Sequence, residues 1–298
     1  MIDLHVHSTA SDGLVAPGDL PAMAAKIGLT AVALTDHDTV DGVAEFLEAA
    51  KAFPAMMAIP GVELSVQYCS RELHIVGLFV DPENRSLAEY LAAQRQERAA
   101  RAERMRARLT GLGYPITMDE LYEVCGNDCP GRPHFAQILV RKFGFPDLVT
   151  VFQKLLKNGA PGYVSRFLPP PATAIRAIHA AGGVAVWAHP IYRDRNEQGF
   201  ARRIIRKFSV PEIGLDAVEG YYSLFGPNET SMILGLAAEY GIAVSGGSDY
   251  HGRAEQDIWL GTGAGKLRVP DSLLPELLRR RDLRRAEAGA NSSDPEKN

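Results

Sequence analysis

Ile2-Asp3-Leu4-His5-Val6-His7-Ser8 reads as a short strand carrying two histidines two residues apart. Side chains two apart in a strand face the same way, so His5 and His7 project together and can grip one cation. Asp12 lies just beyond, where Ser11-Asp12-Gly13 can turn a carboxylate back toward them. The arrangement recurs along the chain. Ala31–Leu34 is an apolar run ending in Thr35-Asp36-His37-Asp38. Ala58–Ile59 with Val62–Leu64 carries Glu63 inside an otherwise apolar stretch. His74 opens the run His74–Phe79, Val184–Ala188 leads into His189-Pro190, and Ala243–Ser245 leads into Asp249-Tyr250-His251. Together with Ala217–Glu219 these read as strands, several of them apolar throughout, as expected for parallel strands covered by helices.

Helical patterns fall between the strands. Pro17–Ile27 has proline at its start and Gly28 at its end, and Val40–Ala52, Pro171–Ala181 and Glu229–Tyr240 follow the same rhythm. Repeated βα units argue for an α/β barrel or a doubly wound sheet. The rhythm breaks over 81–170, which we read as an inserted helical subdomain between the two barrel segments, 1–80 and 171–285. Its first helix, Leu87–Leu109, carries Arg95, Arg98, Arg101, Arg104 and Arg108 on one side, either as a solvated face paired with Glu97 and Glu103 or as a guide for an anionic substrate. Residues 286–298 are small and polar and are expected to form a disordered tail.

Bulk properties narrow the class. The chain has 298 residues, 46% hydrophobic, and a formal net charge of -4, so a polyanion would have to be recognised locally. Cys69, Cys125 and Cys129 are too few for a disulfide framework, and nothing completes Cys125/Cys129 as half of a metal site. There is no signal-peptide pattern and no apolar run approaching the roughly 20 residues of a membrane span. A cytoplasmic protein without membrane contact or a stable protein partner is expected.

Each histidine or acid has an ordinary explanation when taken alone. Their recurrence at successive strand ends does not, because a barrel gathers those ends into one ring. His5, His7, Asp12, His37, Glu63, His74, His189, Asp249 and His251 exceed what one ion takes. Two or three divalent ions with Glu63 between them would use all nine. Mixed imidazole and carboxylate without thiolate fits Mn²⁺, Zn²⁺ or Fe²⁺ better than Ca²⁺ or Mg²⁺. Clustered cations sharing a hydroxide suit in-line attack on phosphorus.

As a set, His5-Val6-His7, Asp36-His37, Glu63, Ala188-His189-Pro190 and Asp249-Tyr250-His251 resemble the motifs of the PHP (polymerase and histidinol phosphatase) family. The resemblance implies a distorted (β/α)₇ barrel with a trinuclear centre. One ion would take His5, His7, Glu63 and Asp249, a second would share Glu63 with His74 and His189, and a third would take Asp12, His37 and His251. Asp12 stands where some members have histidine, which favours a harder ion such as Mn²⁺. Gly131-Arg132-Pro133-His134-Phe135 and the arginine-rich helix are similar to the stand-alone phosphoesterases acting on nucleotides. Those remove the 3'-phosphate of nucleoside 3',5'-bisphosphates such as pAp, and some shorten small RNAs. On that resemblance Arg132 and His134 hold substrate phosphate, and Asp36 orients a ligand histidine or handles a proton. Tyr221, Tyr222 and Phe225 are candidates for stacking on a base, and His179 for a structural helix residue. Histidinol-phosphate phosphatase, a general amidohydrolase (which would usually show a metal-bridging lysine where Glu63 stands) and a non-catalytic metal-binding module are the competing readings.

Overall fold

The computed structural model describes residues 1–125, 130–191, 198–253 and 257–292, so Cys129 lies outside the described residues. Two compact units emerge: Met1–Tyr90 with Pro169–Asn298, and Leu91–Leu168.

The first unit is the barrel. Its strands are β1 (Ile2–Val6), β2 (Ala31–Leu34), β3 (Met57–Tyr68), β4 (Arg71–Leu78), β5 (Val184–Trp187), β6 (Ala217–Tyr222) and β7 (Ala243–Gly247). They form one seven-stranded sheet in sequence order. The sheet curls until β1 meets the end of β7: the His7 N–H donates to the Tyr250 carbonyl at 2.9 Å, and the Asp249 N–H to the His5 carbonyl at 2.9 Å. At Gly247 this approach is so close that a Cβ would strike the backbone of His5, so the seam requires glycine.

One strand departs from the parallel pattern. β3 and β4 are antiparallel, with Ser65 opposite His74, and β4 is antiparallel to β5 as well. The hairpin turns through Cys69 and Ser70, both at positive φ, which matches the right-handed twist of the flanking strands. The reversal explains His74. It sits near the start of its strand, yet an antiparallel strand begins where its parallel neighbours end.

Helices α1 (Leu20–Lys26) and α2 (Val43–Ala50) cover β1 and β2 through Leu20, Ala24, Val43 and Phe46, packed on Val6, Val32 and Leu34. The barrel core gathers Ile2, Leu4, Ile59, Val76, Leu78, Val184, Val186 and Ala217. Helix α10 (Leu274–Ser292) packs onto this core through Leu274, Leu277 and Leu278. α10 therefore runs into the stretch expected to be a disordered tail, carried by the good helix formers of Ala286-Glu287-Ala288; residues 293–298 lie outside the described residues. His179, on α7 (Pro171–Ala180), meets buried Asp216 through Nε2 at 2.8 Å, the structural role expected of it.

Helix α3 (Arg85–Gly111) starts in the barrel unit and continues into the second. With α4 (Met118–Cys125), α5 (Arg132–Phe143) and α6 (Leu148–Val151) it encloses a separate core of Met105, Leu109, Leu121, Phe135, Ile138, Leu139 and Leu156. The boundaries thus fall at Leu91 and Leu168 rather than at 81 and 170. On the long helix Arg104 of the basic stripe pairs with Glu97, whereas Glu103 pairs with Arg106, which lies outside the stripe.

Candidate metal centre

Glu63 is the hub. Its side chain is 0% exposed, and five histidines from four strand ends surround it. Oε1 lies 3.0 Å from His74 Nδ1 and 3.1 Å from His189 Nε2. Oε2 lies 2.9 Å from His37 Nδ1 and 3.3 Å from Nε2 of both His5 and His7. Asp249 Oδ1 closes the ring at 3.6 Å from His5 Nε2 and 3.3 Å from His7 Nε2. Asp12 Oδ1 stands 3.2 Å from His251 Nε2 and 3.8 Å from His37 Nε2. All nine sequence-predicted ligands therefore meet at one mouth of the barrel.

The grouping is finer than one carboxylate per ion. Donor atoms cluster as His5, His7 and Glu63; as His37, Glu63 and His74; and as His7, Asp12, His37 and His251. His7 and His37 each belong to two sets. The fit to cations is read from atoms left without a hydrogen bond. His5 Nε2, both ring nitrogens of His7 and Glu63 Oε2 are buried with none. Burying a polar atom unpaired costs a few kcal/mol. Several such atoms pointing at one another fit divalent cations bound between them.

The electrostatics agree. Without a cation, burial opposes charge on His74, but adjacent Glu63 outweighs it and pushes the imidazole up to about 10. His7 is likewise disfavoured by burial, yet Asp249 and Glu63 raise it to about 9. Burial would raise Glu63, but His37, His5 and His74 hold it well below the usual carboxylate range. Protons and divalent ions would therefore compete for these atoms.

The backbone at the mouth is strained. Asp38, His189 and Asp249 occupy positive φ at 52°, 32° and 57°, each just after a strand. Such conformations in non-glycine residues cost of order 1–3 kcal/mol and gather at functional sites.

A surrounding shell fixes the ligands. Glu219, on β6, accepts from His5 Nδ1 at 3.1 Å and from the His189 backbone N–H at 2.6 Å. That leaves His5 Nε2 facing the centre, the usual carboxylate–histidine–metal relay. Sequence reading passed over Glu219, although the signal was the one that found Glu63: an acid inside an apolar strand. Asp36 departs from expectation. Its carboxylate accepts from Ser8 N–H at 2.8 Å, Ser8 Oγ at 2.6 Å and Ser11 Oγ at 2.5 Å, so it ties down the loop that carries Asp12 rather than orienting a histidine. Arg253 Nη2 meets Asp12 Oδ2 at 3.0 Å.

The tyrosine pair is split. Tyr222 donates to Asp249 Oδ2 at 2.9 Å and its ring lies 5.6 Å from that of His189, whereas Tyr221 packs against the barrel core. Phe225 stacks edge-on against Tyr222 at 5.2 Å. Arg132 and His134 belong to the second unit, on α5. There the Gly131 N–H donates to His134 Nδ1 at 2.9 Å, so His134 caps its helix and carries its ring proton on Nε2. Burial first, and then Arg98, lowers its pKa and holds the ring neutral. Arg132 lies 5.8 Å from the ring centre of Tyr163. Among the described residues no helix is long and apolar enough to cross a membrane.

Comparison with known proteins agrees with this geometry. A PHP domain profile matches residues 3–128. The chain is 37% identical to a 3',5'-nucleoside bisphosphate phosphatase of Chromobacterium violaceum, over 85% of this chain and 88% of that one. It is 34% identical to the 5'-3' exoribonuclease Rnm of Escherichia coli, over 84% of each. A metal-free, sulfate-bound structure described as an amidohydrolase from Chromobacterium violaceum superposes with a TM-score of 0.76 at 34% identity, covering 95% of this chain and 96% of that one. A carboxylate hub ringed by strand-end histidines, carried on a seven-stranded barrel and shared with relatives over most of its length, places the chain in the PHP family of metal-dependent phosphoesterases.

Proposed function

We propose that the protein removes the 3'-phosphate from nucleoside 3',5'-bisphosphates of the pAp type and also acts on short 5'-phosphorylated RNA. The observation that carries the phosphoester chemistry is the set of buried, unbonded nitrogen and oxygen atoms around Glu63. Likeness to a bisphosphate phosphatase over 85% of the chain supports the choice of substrate. Likeness to an exoribonuclease supports its extension to RNA.

Two or three divalent ions, Mn²⁺ first among them, would be held by His5, His7, Asp12, His37, Glu63, His74, His189, Asp249 and His251. Ions held there supply Lewis acidity toward phosphoryl oxygens and lower the pKa of water. The chain's own residues do the positioning. Glu219 presents His5 through Nε2, Tyr222 steadies Asp249, and Asp36 fixes the Ser8–Ser11 loop so that Asp12 faces His251. In the second unit Arg132 offers a bidentate fork for phosphate and His134 one N–H donor.

Phosphate release by the Mn²⁺-reconstituted protein from pAp, 5'-AMP, a short 5'-phosphorylated RNA and histidinol phosphate, side by side, tests the reading. The expected order puts pAp or RNA first. Preference for histidinol phosphate overturns the substrate, and silence on all four overturns the enzyme.

A further inference from the structure

Helix α8 (Gln198–Phe208) turns an apolar face inward through Ala201, Ile204, Ile205 and Phe208. Its outward face carries Arg203, Arg206 and Lys207, at i, i+3 and i+4, all exposed. Three other exposed arginines of the barrel unit are matched to acids: Arg85 to Glu89, Arg202 to Glu239 and Arg279 to Glu276. Among the described residues Arg203, Arg206 and Lys207 have no acid partner.

Two of these cations lie against aromatic rings. Arg203 sits 6.0 Å from the centre of Phe200, whose ring also lies 4.5 Å from the guanidinium of Arg71. Lys207 stands 5.2 Å from the ring of Tyr68, which packs on Phe208 at 5.1 Å. Tyr68 and Arg71 are directly paired across the β3–β4 hairpin, so their side chains share a face. This strip begins beside the centre. Arg71 precedes His74 by three residues on β4, about 10 Å along the strand, and Phe200 packs against Trp187, two residues before His189. By strand alternation Arg71 and His74 point to opposite faces, so the strip lies on the outer wall next to the mouth.

We infer that this strip is a track for single-stranded RNA, holding nucleotides beyond the one whose phosphate enters the centre. A chain of net charge -4 that leaves three neighbouring cations unmatched presents charge complementary to a phosphate backbone. Aromatic rings interleaved with cations are how single strands are held without reading sequence. The inference rests on the nucleotide reading of the centre, and it adds where a longer substrate runs.

The test uses the purified full-length chain and a 12-nucleotide phosphorothioate-linked RNA, labelled at its 3' end, with a 3-nucleotide version beside it. Fluorescence anisotropy should show the longer strand held at least about tenfold tighter than the shorter. R203E/R206E/K207E should abolish that difference and flatten the log–log salt slope by about 2, the value for three lost phosphate contacts. Binding of the short strand should be unchanged, which also shows that the variant is folded. Equal binding of both lengths by the native chain, full length dependence in the variant, or stronger binding to anionic vesicles than to RNA would each overturn the track. Phosphate release from pAp is read separately. If pAp is inert while the track binds RNA, the substrate reading of the centre fails and the track stands; if pAp is consumed and length dependence is absent, the reverse holds.

Discussion

The Nδ1 of His5 lies 3.1 Å from Oε1 of Glu219, while the other oxygen of the same carboxylate accepts from the backbone N–H of His189. One acid on β6 therefore sets the tautomer of a ligand from β1 and the position of a ligand after β5. Removing it should weaken metal binding without dismantling the barrel. Glu219→Ala is expected to lose 10- to 100-fold in affinity for the divalent ion, the usual cost of deleting such a partner. Metal titration by calorimetry, with thermal melting as the control for folding, reads the effect; unchanged affinity would remove Glu219 from the centre.

Protons and metal ions compete for the same atoms, and this gives a pH dependence with a definite sign. His74 and His7 are raised from 6.5 to about 10 and about 9 in the metal-free protein. A group raised on folding adds stability that is fully present below its unfolded value and is lost as pH climbs through its folded value. The melting temperature of the metal-free protein should therefore fall between about pH 6.5 and pH 10. Metal loading at pH 7 should release protons, seen as a dependence of the calorimetric heat on the ionisation enthalpy of the buffer. A heat independent of buffer would contradict the charge state derived for His7 and His74.

Much of this centre was legible in the sequence because it breaks the rule that strand interiors are apolar. Nine ligand-competent side chains at strand ends have no cheaper explanation than cations between them. Other parts carried weaker signals. The Cys69-Ser70 turn lacks the glycine or asparagine that marks a tight hairpin, so β4 read like another buried parallel strand. Glu219 was hidden by being taken only as the end of a strand. Tyr221 and Tyr222 look equivalent as neighbours, but the β6 ladder shifts register between Glu219 and Tyr221, and only Tyr222 reaches Asp249. Which histidines share an ion depends on side-chain placement across five strands, and strand order alone does not contain it.

That split between the tyrosines is open to test. Tyr222→Phe removes the hydroxyl that donates to Asp249 Oδ2 at 2.9 Å and keeps the ring. The variant should lose about tenfold in metal affinity, the lower end for an outer-shell partner, at nearly unchanged melting temperature. Tyr221→Phe should leave affinity alone, since Tyr221 contributes its ring to the core. Equal effects from the two would mean that the register shift does not separate them.

The closure of the barrel and the assembly of the centre meet at Gly247. A methyl group there would collide with the backbone nitrogen, Cα and Cβ of His5, none of which can swing aside as the tip of a long side chain would. The strand must then retreat from β1, taking with it the Asp249 N–H to His5 carbonyl bond that closes the seam. Gly247→Ala is thus expected to cost about 1–3 kcal/mol, the range for overpacking a close-packed interior. It should also displace Asp249 relative to His5 and His7, so stability and metal affinity fall together. A control at Gly235, where a Cβ would meet nothing within 4 Å, should fall in neither. If Gly247→Ala melts like the parent and binds metal as tightly, the seam is looser than this contact requires, and Asp249 is positioned by Tyr222 alone.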